Sequence, residues 1–113
     1  MLTIGSQKIF MYSYPIHMNK SFEGLSAIVQ QTFPNELYTG ALFMFLNRSH
    51  NKLKLIYWDG DGYIILYKRL EKGKFYVSPS GKAKLTRREF VMMFEGIKPK
   101  SLDRRFSLKK DNI

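Results

Sequence analysis

A chain of 113 residues, 44% hydrophobic, has the size of one domain around one core and should bury about two thirds of its unfolded surface. With no cysteine, it excludes a disulfide scaffold, a thiolate zinc site and a cysteine nucleophile, and it fits a reducing, cytoplasmic setting. The net charge of +10 is unevenly placed: residues 1–47 hold Lys8 and Lys20 against Glu23 and Glu36 and cancel, so the whole excess lies in residues 48–113. Charge concentrated in this way points to a polyanionic partner, most commonly nucleic acid. Apolar runs such as "ALFMFL" and "FVMMF" are far shorter than the roughly 20 residues that span a bilayer, and the N-terminus does not read as a leader, so no membrane partner is expected.

In chain order, the β-branched and aromatic run 8–16 predicts a strand that Pro15 stops or holds at a sheet edge. A helix follows, with Asn19 as its N-cap, an apolar stripe of Phe22, Leu25, Ile28, Val29 and Phe33, and Pro34 as its stop. Residues 41–47 are apolar at odd and even positions alike, which a strand needs only when both faces are covered; this strand belongs at the centre of the sheet. The polar turn "NRSHN" leads to two strands, Lys52 to Trp58 and Tyr63 to Leu70, joined by "DGDG".

Placing Trp58 opposite Tyr63 sorts the side chains of that hairpin. One face holds Leu53, Leu55, Tyr57, Ile64, Leu66 and Leu70, with Lys68 at its margin, and reads as core. The other holds Lys52, Lys54, Ile56, Trp58, Tyr63, Ile65, Tyr67 and Arg69, basic and aromatic together. Such a face suits phosphates and unpaired bases, and equally suits burial against the first helix or a partner chain.

Further on, "KFYVS", "PSG" and "KAKL" suggest a second, short hairpin. Thr86 and Glu89 then have the spacing of a capping box, with Leu85 and Phe90 as its hydrophobic staple. The last helix buries Phe90, Met93, Phe94 and Ile97 and ends at Gly96, leaving residues 98–113 as a basic, flexible tail after a single domain of residues 1–97. Arg87 and Arg88 sit in its first turn, against the helix dipole, where a phosphate contact would explain them.

Chemistry of the catalytic kind finds little support. Asp59 and Asp61 are the right ligands for magnesium or manganese in a nuclease, but an apolar strand follows where further oxygen donors would be needed. Asp-Gly is also a favoured turn pair, and "DGDG" is read as a turn. His17 and His50 lie in loops without a partner at a recognisable spacing. We expect no catalytic residues, no metal and no cofactor.

Taken together and in order, "MNKSFEGLSAIV", "GALFMFLNR", "NKLKLIYWDGDGYIILYKRLEKGKF", "LTRREF" and "FEGI" resemble the second-reading-frame accessory proteins (TnpB) of the insertion sequence 66 family, which are unrelated to the RNA-guided nucleases of the same name. The resemblance runs from Ile9 to Ile97, and its most specific block comprises Trp58, Asp59, Gly60, Asp61, Gly62, Lys68, Arg69, Leu70, Gly73 and Phe75. It implies a cytosolic bacterial protein acting in transposition beside a separate, larger transposase, with no assigned catalytic residues. The chain departs from the family at His17, where an acid is common, at Ile64 and Ile65, where aromatics are expected, and at Val77, Ser78 and Pro79, which replace a tryptophan-proline.

The expected fold is therefore a single α+β domain: a twisted antiparallel sheet of five or six strands with two packed helices and a basic tail. The expected function is a non-catalytic transposition factor that binds DNA, at element ends or target, through Lys52, Lys54, Trp58, Tyr67, Arg69, Arg87 and Arg88. The alternative is an adaptor that docks on the transposase or another element-encoded protein. The oligomeric state is open.

Overall fold

The computed structural model describes residues 5–77, 81 and 83–95. Five strands and two helices follow one another as β1 (Ile9–Met11), α1 (Phe22–Thr32), β2 (Leu42–Leu46), β3 (Lys52–Trp58), β4 (Tyr63–Arg69), β5 (Lys84–Leu85) and α2 (Arg87–Glu95). The strands form one sheet in the order β4-β3-β2-β1-β5, a single α+β domain. The sheet is mixed, not wholly antiparallel: β1 runs parallel to β2, and the other neighbours are antiparallel. The reason lies in the connection, since parallel neighbours need a crossover and α1 supplies it.

β2 is the middle strand and all five of its residues are buried, as its unbroken apolar run requires. On one face Leu42, Met44, Leu46, Leu53 and Leu55 join Ile9, Phe75, Leu85 and the α2 residues Phe90 and Met93. On the other, Phe43, Phe45 and Ile56 join Ile16, Leu37 and the α1 residues Leu25 and Val29. Each helix thus covers one face.

The first strand is shorter than residues 8–16, because regular pairing stops at Met11. The chain still follows β2 past Pro15, with the amides of Tyr12 and Ile16 donating to the carbonyls of Met44 (3.0 Å) and Leu46 (2.9 Å). Helix α1 is capped at Ser21, without a side-chain hydrogen bond, and not at Asn19. Phe22 is 46% exposed although it shares the helical face of Leu25 and Val29, because it is the first residue of the helix and lies at the end of that stripe. The Phe33 amide closes the last turn on Val29 O at 2.7 Å, just ahead of Pro34.

The capping box of α2 is reciprocal: the Thr86 amide donates to Glu89 Oε1 at 2.9 Å and the Glu89 amide to Thr86 Oγ1 at 3.1 Å. Leu85 and Phe90 lie buried in the same cluster, as a staple should. The second short hairpin does not form. Residues 74–77 are not a strand, and β5 pairs instead with β1, where Leu85 lies opposite Ile9 in the core. The Phe75 amide donates to His50 O at 2.7 Å, which ties that segment to the β2–β3 turn instead. Ser78 at the end of the predicted strand, Pro79 and Ser80 of the predicted turn, the Gly96 cap, Ile97 and the 98–113 tail lie outside the described residues.

The ring of Phe43 lies 5.6 Å from those of Phe10 and Phe33 at the middle of one face. Truncation by Phe43→Ala should remove about 3–5 kcal/mol of stability in urea denaturation, whereas Thr86→Ala should remove only about 1 kcal/mol. Equal losses would contradict this placement of core and cap.

Candidate functional site

The β3–β4 hairpin has the register expected from its alternation. Trp58 lies opposite Tyr63, Lys54 opposite Tyr67, and Lys52 opposite Arg69. The "DGDG" turn is closed by the Asp59 amide donating to Gly62 O at 2.8 Å, and Gly60 adopts φ +91°, a left-handed value that a Cβ would penalise. Both aspartate side chains are exposed, and no group of three or more metal-ligating side chains occurs among the described residues.

The rest of the motif block fastens other parts of the fold to the hairpin. Lys68 donates to Phe94 O at 2.6 Å and lies 4.8 Å over the Phe94 ring, holding the end of α2. The Leu70 amide donates to Asn51 O at 2.8 Å, Gly73 takes φ +75°, and Phe75 is buried in the α2-side core.

The seven residues expected to touch DNA are not gathered into one patch. Lys54 is only 7% exposed. Its ammonium donates to the carbonyls of Met18 and Lys20, both at 2.6 Å, and lies 5.0 Å over the Tyr67 ring. That cation is spent on holding the start of α1 against the sheet, and its burial is balanced by those acceptors. Arg87 is likewise engaged, donating to Gly5 O and, at 2.8 Å, to Gln7 O, so a contact within the chain accounts for a cation at a helix N-terminus. Arg88 is exposed nearby, beside β5 and hence at the opposite edge of the sheet from β4. Lys52 and Trp58 stand at opposite ends of β3, on the order of 20 Å apart for six residues of strand.

What remains is a polarised hairpin. Residues 47–52 and 67–75, at the end away from "DGDG", include Arg48, Lys52, Lys68, Arg69, Lys72 and Lys74 with Glu71 as their one acid. Residues 55–66 hold Asp59 and Asp61 and no cation. Arg69 pairs with Glu71 at 3.0 Å, but both side chains are more than 60% exposed, so the bridge is weak and readily exchanged. Tyr67, 53% exposed, shares the sheet face of Lys52 and Arg69.

Two contributors escaped the sequence reading. Arg48 stands in a turn that reads merely as polar, and nothing local distinguishes it. Tyr38, in the loop before β2, is 64% exposed and lies edge-on to Trp58, with ring centroids 5.0 Å apart. It also approaches Tyr63, at 6.3 Å, and Trp58 and Tyr63 meet edge-on at 5.0 Å, making an aromatic end opposite the basic one. Loss of solvation, and then hydrogen bonding and repulsion from Tyr38, push the Tyr63 phenol from 10.0 up to about 12. The fold favours neutral Tyr63, so its contribution to stability is fully present below pH 10 and is lost as pH rises through about 12. Ultraviolet titration should show a tyrosine component ionising near pH 12, and Tyr38→Phe should lower it; absence of that component would contradict this.

The family described as IS66 Orf2 like protein matches residues 7–104 of this chain. Among curated proteins, the uncharacterized protein y4jC of Sinorhizobium fredii (strain NBRC 101917 / NGR234) is 32% identical over 92 residues, which cover 80% of this chain and 79% of that protein. A second uncharacterized protein of the same strain, y4hO, is 38% identical over 58 residues, or 51% of this chain and 50% of its own length. No solved structure matches. With the family match spanning the sheet, both helices and the hairpin block, the chain belongs to the IS66 Orf2-like (TnpB) family, whose members are accessory proteins of insertion-sequence transposition and not known catalysts.

Proposed function

We propose that this accessory protein acts without catalysis, by binding DNA at element ends or target through the basic end of the β3–β4 hairpin. The observation that carries the reading is the separation of charge along one hairpin, cations at one end and aspartates at the other. Lys52 and Arg69 neutralise phosphates with release of counterions, and exposed Tyr67 beside them packs on a sugar or an unpaired base. In this reading Lys54, Arg87, Arg88 and Trp58 leave the contact set, the first two because their donors are engaged within the chain, Arg88 because of its distance across the sheet, and Trp58 because it stands at the far end of β3 from Lys52.

A second reading, docking on the transposase, is favoured by the Tyr38–Trp58–Tyr63 cluster, which carries no cation and leaves a large aromatic exposed. Copurification with the transposase that survives nuclease treatment and disappears on Trp58→Ala would support it; copurification unaffected by that substitution would remove it.

For DNA, labelled duplex and single strand titrated over a range of salt concentrations test the proposal directly. Lys52→Ala and Arg69→Ala should each flatten the logarithmic salt dependence on duplex by about 0.9, whereas Arg87→Ala should leave it unchanged and lower stability instead. No binding by the wild type even at low salt would overturn the DNA reading.

A further inference from the structure

A cleft of about 300 Å³ opens between the segment joining β1 to α1 and the β2–β3 turn, beside the basic end of the hairpin. Its polar lining includes His17 on one wall and Arg48, Ser49 and Lys52 on the other, with no acid. The side chains of His17, Arg48, Ser49 and Lys52 make no hydrogen bond or ion pair among the described residues, so their donors remain available to a ligand. Asn47, which also lines the cleft, is tied into its own turn: its Oδ1 accepts from the amides of Asn51 and Lys52 at 3.1 and 3.0 Å, and its Nδ2 donates to Asn51 Oδ1 at 2.7 Å. Asn47 therefore shapes the turn.

The two walls are 30 residues apart in sequence and are pinned together from below. The Lys54 ammonium holds the Met18 and Lys20 carbonyls, and the Ile16 amide donates to Leu46 O at 2.9 Å. A concave, acid-free site with unspent donors on fixed walls is preorganised for an anion, because little conformational freedom is lost when the anion enters. Lys52 is shared between this cleft and the Lys52–Arg69 pair, so an anion seated here is continuous with the surface assigned to DNA.

We propose that this cleft seats one phosphodiester group of a bound DNA strand, with Arg48 as its principal charge partner and His17, Ser49 and Lys52 as supporting donors. The inference rests on the DNA-binding reading and adds to it the β1–α1 segment, which the hairpin alone would not include. Lys54 serves as a positioning residue, since it orders the His17 wall without reaching the ligand.

The test is fluorescence anisotropy with a labelled duplex over a salt series, using wild type, Arg48→Ala, His17→Ala and, as a control cation on β5, Lys84→Ala, with urea midpoints confirming that each variant folds. Arg48→Ala should weaken binding several-fold at low salt and flatten the logarithmic salt slope by about 0.9, His17→Ala should weaken binding less, and Lys84→Ala should match wild type. Wild-type affinity and slope in both Arg48→Ala and His17→Ala would overturn the phosphate seat while leaving the DNA reading intact. Absence of DNA binding by the wild type would overturn both. In that case, saturable amide shifts at Arg48 and Ser49 on adding inorganic phosphate would reassign the cleft to a free anion.

Discussion

The ammonium of Lys54 is the point on which the α1 side of this molecule depends. It stands on β3 between Phe45 and Tyr67, under a helix whose N-terminus has no side-chain cap, and it binds the two carbonyls that lead into that helix. Burying an ammonium is unfavourable unless its donors are satisfied, and removing it would leave two carbonyls without their partner, at a penalty of about 1–3 kcal/mol for each. The contact therefore sets how closely α1 approaches the sheet, and with it the distance between the His17 segment and the β2–β3 turn. A lysine that looks like a DNA contact in the sequence is a structural tie whose effect is to shape a neighbouring surface.

The family block behaves in the same way. Lys68, Leu70, Gly73 and Phe75 hold α2 and the β2–β3 turn to the hairpin, and Gly60 lets the "DGDG" turn close. Much of the motif by which the family is recognised thus specifies an architecture, with Arg69 as the member that faces solvent among the hairpin cations. That arrangement is a small domain displaying one basic end and one aromatic end on a common hairpin.

Elements whose physics is local were legible in the sequence. The hairpin register follows from alternation on either side of a turn with glycines, the α2 start from a reciprocal Thr-x-x-Glu pair, and the central place of β2 from its unbroken apolar run. Features that depend on distant partners were not. Nothing near residues 9–11 announces that they run parallel to β2, nor that Leu85 will complete their other edge. Lys54 alternates with polar and aromatic neighbours in a pattern that reads as solvent-facing, and the carbonyls that claim it are 34 and 36 residues upstream. Arg87 is similarly claimed by Gly5 and Gln7, about 80 residues away. The basic and aromatic character of the second face was correctly sorted by residue, but its division into two ends and its partial cover by α1 emerge only once the chain is folded.

Backbone amide shifts of isotopically labelled protein, followed while a short duplex is added, test the central claim most directly because they report position and binding in one experiment. The account predicts shifts concentrated at residues 17 and 47–52 and around Tyr67 and Arg69, with residues 59–62 and Arg87 unmoved. Shifts centred on Tyr38, Trp58 and Tyr63, or none at all at low salt, would contradict it.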